Sequence, residues 1–130
     1  MEFDKEKVAA VWLEYAGEKW KVAEGLQTLG HYSDALFYCH LAIECVLKRC
    51  VILKINDHQP YTHDLEKLAL IAELKLTPSQ LSDLQEINTF NIAGRYPEYK
   101  QAFYKKVTKE YFTEYFEKSK QMFIWLSSIR

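Results

Sequence analysis

Ser33-Asp34-Ala35-Leu36-Phe37-Tyr38-Cys39-His40-Leu41-Ala42-Ile43-Glu44-Cys45-Val46-Leu47-Lys48-Arg49-Cys50-Val51-Ile52-Leu53 carries two patterns in one run. Ala35, Leu36, Cys39, Ala42, Ile43, Val46, Leu47, Cys50 and Val51 recur at steps of three and four, the period of a helix with a wide apolar face. Ser33 is a good N-cap for that helix. The second pattern is polar. His40, Glu44 and Lys48 lie four apart and so stack on one side of the helix. Periodicity alone makes this a solvent-facing row, in which the Glu44–Lys48 pair adds about 0.2–0.5 kcal/mol. The other reading is a polar strip that lines a site.

The flanking sequence repeats the helical period. Upstream, Val8, Val11, Trp12, Tyr15, Ala16, Val22, Ala23, Leu26 and Leu29 mark a helix from about Asp4, its cap, to Leu29, with Gly30 ending it. Gly17 and Gly25 lie inside this helix, where close approach of a neighbour is a reason to tolerate glycine. Downstream, Asn56, Asp57 and Pro60 form a connection, and Thr62 is placed to cap a short helix over His63–Leu74. Thr77-Pro78-Ser79-Gln80 combines an N-cap, a first-turn proline and the glutamine of a capping box, so a fourth helix starts there. The last helix, from Ala102 or Val107 onward, has a long stripe that includes Tyr111, Phe112, Tyr115, Phe116, Met122, Phe123 and Leu126, suited to a core or a dimer seam. No repeat or linker divides the chain. The expectation is a single all-α domain over residues 1–130, an up-and-down bundle of about five helices.

Composition narrows the functional classes. The chain has 130 residues, 48% of them apolar, and a formal net charge of −1, which gives no general attraction to polyanions or to a membrane surface. Met1-Glu2-Phe3-Asp4-Lys5-Glu6 does not open like a signal peptide, and no apolar run nears the roughly 20 residues that span a bilayer; a cytoplasmic location is expected. Cys39, Cys45 and Cys50 share one helix, so they are expected to be reduced thiols. No metal site is expected: the cysteine spacing fits no zinc framework, and His58, His63 and Asp64 lack the His–x3–His helical pairing. Within that group, Asp64 suits a helix N-terminus and His63 suits packing against a neighbouring helix. No cofactor is expected either, because phosphate-loop and nucleophile-elbow motifs are missing from the sequence.

One stretch breaks the helical pattern for a local reason. In Asn91-Ile92-Ala93-Gly94-Arg95-Tyr96-Pro97-Glu98-Tyr99-Lys100, Gly94 loosens the backbone, and Pro97 pushes Tyr96 out of the α region. Arg95 sits between them, and Asn88 and Asn91 share its face. An arginine fork suits phosphate, and tyrosines offer rings to a base. The candidate anion or nucleotide site is therefore Arg95, Tyr96, Lys48, Glu44, His40, Asn91 and Tyr99. Arg95 and His40 are the candidates for catalysis, should a histidine shuttle a proton while an arginine stabilises a phosphorane.

Cys39-His40-Leu41-Ala42-Ile43-Glu44 with Leu47-Lys48, His63-Asp64-Leu65 with Leu68, and Arg95-Tyr96-Pro97-Glu98 together resemble the HEPN family (higher eukaryotes and prokaryotes nucleotide-binding domain). The resemblance implies a four-helix core plus a short helix, commonly as a homodimer. It also implies pairing with a nucleotidyltransferase protein, as in toxin–antitoxin systems. Many members are metal-independent RNases whose motif is an arginine followed, after four to six residues, by a histidine. Arg95 matches that arginine, but no histidine follows His63 anywhere in the chain. The incomplete motif argues against catalysis and for an Arg-Tyr-Pro form that binds a nucleotide or a nucleotidyltransferase partner. The alternatives are an endoribonuclease with His40 or His63 as a displaced base, acting on RNA, and a purely structural dimerisation module.

Overall fold

The computed structural model describes residues 2–130, apart from the side chain of Ala93; Met1, the first residue of the N-terminal reading above, lies outside them. Among the described residues the secondary structure is entirely helical: α1 (Lys5–Thr28), α2 (Tyr32–Ile55), α3 (Leu65–Ile71), α4 (Pro78–Asn88), α5 (Phe90–Arg95), α6 (Pro97–Lys106) and α7 (Lys109–Ser127). α1 and α2 form the main hairpin, turned by Gly30 at a φ of 79° where a side chain would be strained. α2 lies at the centre and packs against α1, α3, α4, α5 and α7. That position explains its composition: Leu36, Ile43, Val46, Leu47 and Ile52 are fully buried on different sides of the same helix.

The aromatic stripe of α7 is spent within the chain. Trp20 of α1 stacks on Phe123 with ring centres 5.0 Å apart and tilts against Phe116 at 5.3 Å. Tyr32 stacks on Phe112 at 4.4 Å, and Phe90 is enclosed by Phe103, Tyr111 and Tyr115. These contacts close α7 over the α1–α2 hairpin, and burial of rings this large accounts for much of the driving force of such a core.

Several local expectations are corrected. α2 starts at Tyr32 after His31, not at a Ser33 cap, and no side chain caps it. The cap of α3 is Asp64, whose carboxylate accepts from the backbone N–H groups of Glu66 and Lys67; Thr62 instead accepts from the N–H of Asp64. Gly17 and Gly25 face open space and admit no close helix. The capping box of Thr77 and Gln80 is present in full.

The region around Arg95 differs most. Helix four ends at Asn88, and the chain continues through Thr89 directly into α5, so Gly94 lies inside a helix. The interruption is at Tyr96, extended at φ −122° and ψ 105°, with Pro97 opening α6 as a regular helix of 10 residues. Gly94 has a packing reason instead of a conformational one. A Cβ there would stand 2.0 Å from Cδ1 of Phe37, so the Phe37 ring of α2 takes the space a side chain on Gly94 would need. Gly94→Ala is expected to destabilise by about 1–3 kcal/mol through overpacking, although alanine is the better helix former by about 1 kcal/mol. Adding Phe37→Ala removes most of that penalty. Urea midpoints of the four proteins in this cycle measure the coupling, and additive effects would show that the ring does not occupy the glycine's space.

Candidate functional site

The polar row of α2 is buried. His40 is 0% exposed, Glu44 5% and Lys48 8%, so the solvent-facing reading fails. The covering groups come from three other elements. Trp12 of α1 lies under the Lys48 ammonium, 5.0 Å from Nζ to the ring centre. His63 comes from the segment before α3, and Arg95 from the end of α5. Local sequence fixes both positions. Asp64 caps α3, and Asn88 of α4 accepts from the Leu65 N–H at 2.9 Å while donating to Asp64 at 3.0 Å. This clasp holds the α3 start, and His63 with it, beside α2.

Glu44 is the hub. Its Oε2 accepts from Lys48 Nζ at 2.8 Å and lies 2.9 Å from His63 Nδ1. Its Oε1 lies 3.7 Å from His40 Nδ1 and 3.9 Å from Arg95 Nη2. Burial by itself raises the pKa of this carboxyl; the hydrogen bonds from Lys48 and His63 and the Lys48 charge outweigh it, and the net shift is downward. Glu44 is therefore a carboxylate at neutral pH and can only accept. His63 must donate to it through Nδ1–H, which leaves Nε2 as the acceptor of the neutral ring.

That tautomer decides the state of Arg95. Its Nε donates to Asn91 Oδ1, and Nη2 lies 3.3 Å from His63 Nδ1. Nδ1 already carries the proton given to Glu44, so it has no lone pair for the guanidinium. Two donors thus face one another, both drawn by Glu44, and the Nη groups of Arg95 keep unspent N–H bonds. The arginine side chain is 32% exposed, and Phe37 lies under it, 5.9 Å from Cζ to the ring centre. The fixed charges are Lys48 and Arg95 against the carboxylate of Glu44, an excess of one positive charge.

The seven sequence-selected residues divide into two sets. Arg95, Asn91, Glu44, Lys48 and His40 converge. Tyr96 and Tyr99 are exposed and form an edge-on pair with each other, 6.5 Å between centres, on the α5–α6 arm. His40 lies beneath the site: burial lowers its pKa to about 4 against the pull of Glu44, and neither ring nitrogen has a hydrogen-bond partner among the described residues. At neutral pH it is an uncharged, buried residue. His63 is the member that the sequence-derived list leaves out, because packing and metal binding are the roles its local surroundings suggest. His58 packs on Phe3 instead, and no group of three His, Cys, Asp or Glu side chains among the described residues is arranged to hold a metal ion. The three cysteines are free, and burial pushes the Cys39 thiol up to about 12.

The family model described as the HEPN domain matches residues 9–129. The crystal structure of TT1696 from Thermus thermophilus is similar in fold, with a TM-score of 0.73 and 21% identity over 91% of this chain and 94% of that one. No curated protein matches. Among the described residues no helix is long and apolar enough to cross a membrane.

The site makes a prediction for stability against pH. The folded-state pKa of His40 is depressed from 6.5 to about 4, so the unfolded chain takes up this proton first. Stability is full above about pH 6.5 and falls as the pH drops toward 4, by up to about 3 kcal/mol. Glu44, also depressed, loses its contribution only below the ordinary carboxylate range. Chemical denaturation from pH 7 to pH 4 should show this slope, flattened in His40→Leu. An equal slope in the variant would place the proton uptake elsewhere.

Proposed function

We propose, from the premise that this chain belongs to the HEPN domain family, that it binds a nucleotide through its phosphate at Arg95 without cleaving it. The observation that carries the reading is the guanidinium itself. Asn91 and Glu44 hold one edge, its remaining N–H groups lack acceptors among the described residues, and the site has a surplus positive charge. A phosphate oxygen would satisfy Arg95 Nη2. Tyr96 and Tyr99 are close in sequence and exposed, available to a base or to a protein partner. The histidine that follows the arginine in the family's RNases is missing from this sequence. A homodimer and a nucleotidyltransferase protein are the partners this reading carries with it, in a pair of the toxin–antitoxin kind.

One observation favours a second reading. His63 stands where a displaced base would be needed. Glu44 orients its Nδ1–H, its Nε2 lone pair is free of partners among the described residues, and Arg95 is adjacent. In RNA cleavage that nitrogen would take the 2′-hydroxyl proton as the 2′-oxygen attacks phosphorus and the bond to the 5′-oxygen breaks, with Arg95 stabilising the phosphorane.

Calorimetry with nucleoside triphosphates separates the readings from a protein without a ligand. Arg95→Ala is expected to weaken binding by about tenfold or more, the loss of a charge-assisted contact. Binding of no nucleotide, or binding unchanged in Arg95→Ala, would overturn the first reading. RNA incubated with the purified protein should remain intact; cleavage abolished by His63→Ala would establish the second.

A further inference from the structure

A separate cleft of about 820 Å³ opens at another part of the bundle, where the start of α1, the last turns of α2 and the end of α7 meet. The volume falls in the range of small-molecule sites. None of the Arg95 cluster lines it. Leu13, Leu53 and Leu74 give it an apolar wall, and Lys5, Lys54 and Arg130 lie around it against the one carboxylate of Glu6. Lys54 also pairs with Glu73 at 3.5 Å, between two exposed side chains that re-aim at little cost.

Arg49 is the telling residue. It follows Lys48 directly, and the helical turn of about 100° per residue carries it off the Glu44 row into this cleft. Arg49 and Ser127, on the facing helix, are only partly buried, yet Nη1 of the arginine and the serine hydroxyl have no hydrogen-bond partner among the described residues. Two polar groups without partners in one cleft call for an acceptor. Cys50 also lines the cleft, but burial pushes its thiol up to about 11, so it offers no thiolate chemistry.

We infer that this cleft binds a small amphipathic anion, its acidic head on Arg49 and Ser127 among Lys5, Lys54 and Arg130 and its apolar body against Leu13 and Leu53. A bare inorganic anion would leave the apolar wall unfilled, and a neutral apolar molecule would leave the arginine unpaired. This ligand is distinct from the one at Arg95, and the two sites fail or stand independently.

The test uses the intact protein with 1-anilinonaphthalene-8-sulfonate, an aromatic sulfonate that fluoresces on burial, and with N-phenyl-1-naphthylamine, the same body without the charge. The expected result is saturable one-to-one binding of the sulfonate, weakened about tenfold in Arg49→Met. Lys5→Gln, on the rim, should weaken it less, and Arg95→Ala should leave it unchanged. Thermal melts verify that each variant is folded; Lys5→Gln carries the test if Arg49→Met is not. Octanoate should displace the probe, and inorganic phosphate should not. Absence of saturable binding, equal affinity in both cleft variants, equal binding of the uncharged amine, or displacement by phosphate alone would each overturn the inference.

Discussion

A single buried carboxylate holds the functional end of this bundle in register. Glu44 sits on the most enclosed helix of the fold, where an unpaired charge costs several kcal/mol. It remains ionised because Lys48 one turn along the same helix and His63 from another element both bond to Oε2. The pairing has geometric consequences. His63 must present Nδ1–H inward, which fixes its tautomer. Arg95 is attracted to the same carboxylate but finds no acceptor at Nδ1, the imidazole nitrogen it faces. The arrangement that compensates one buried charge therefore leaves the second, that of Arg95, partly exposed. A buried ion pair of this kind adds little net stability by itself, but losing one member strands the other, so it ties α2, the α3 start and α5 to one arrangement.

The arm carrying Arg95 is fastened on both sides. On the α2 side, the Phe37 ring lies against the bare backbone at Gly94 and under the guanidinium. On the α7 side, α6 buries no residue completely, yet Phe103 rests on Phe90, and Lys106 reaches Glu86 at 2.7 Å. Glu86 also accepts from the Tyr111 hydroxyl, and burial together with that carboxylate raises the tyrosine's pKa. Phe90 thus anchors the start of α5 in the core, while α6 contributes little burial, and Tyr96, Tyr99 and Tyr104 remain exposed on the arm.

Much of the fold is legible in the sequence because helical periodicity and capping are local. The all-α class, the long first and second helices, the Thr77 capping box and the extended Tyr96 before Pro97 each follow from residues within one or two turns of one another. The reading fails where a distant residue decides. Gly94 looks like a helix breaker because glycine is poor in helices, but the pressure on it comes from Phe37, on a different helix far earlier in the chain. The α3 cap falls later than Thr62 suggests, since Thr62 and Asp64 both suit the role and only the clasp with Asn88 separates them.

The sequence by itself determined which residues share a helical face: His40, Glu44 and Lys48 on α2, Asn88, Asn91 and Arg95 on the fourth and fifth helices. A rise of about 1.5 Å and a turn of about 3.6 residues fix that much without any partner. Only the tertiary structure decided that the α2 row is buried, that His63 completes it, and that burial lowers the pKa of His40. Burial and pKa depend on what other elements bring within a few ångströms, and no local period encodes that distance.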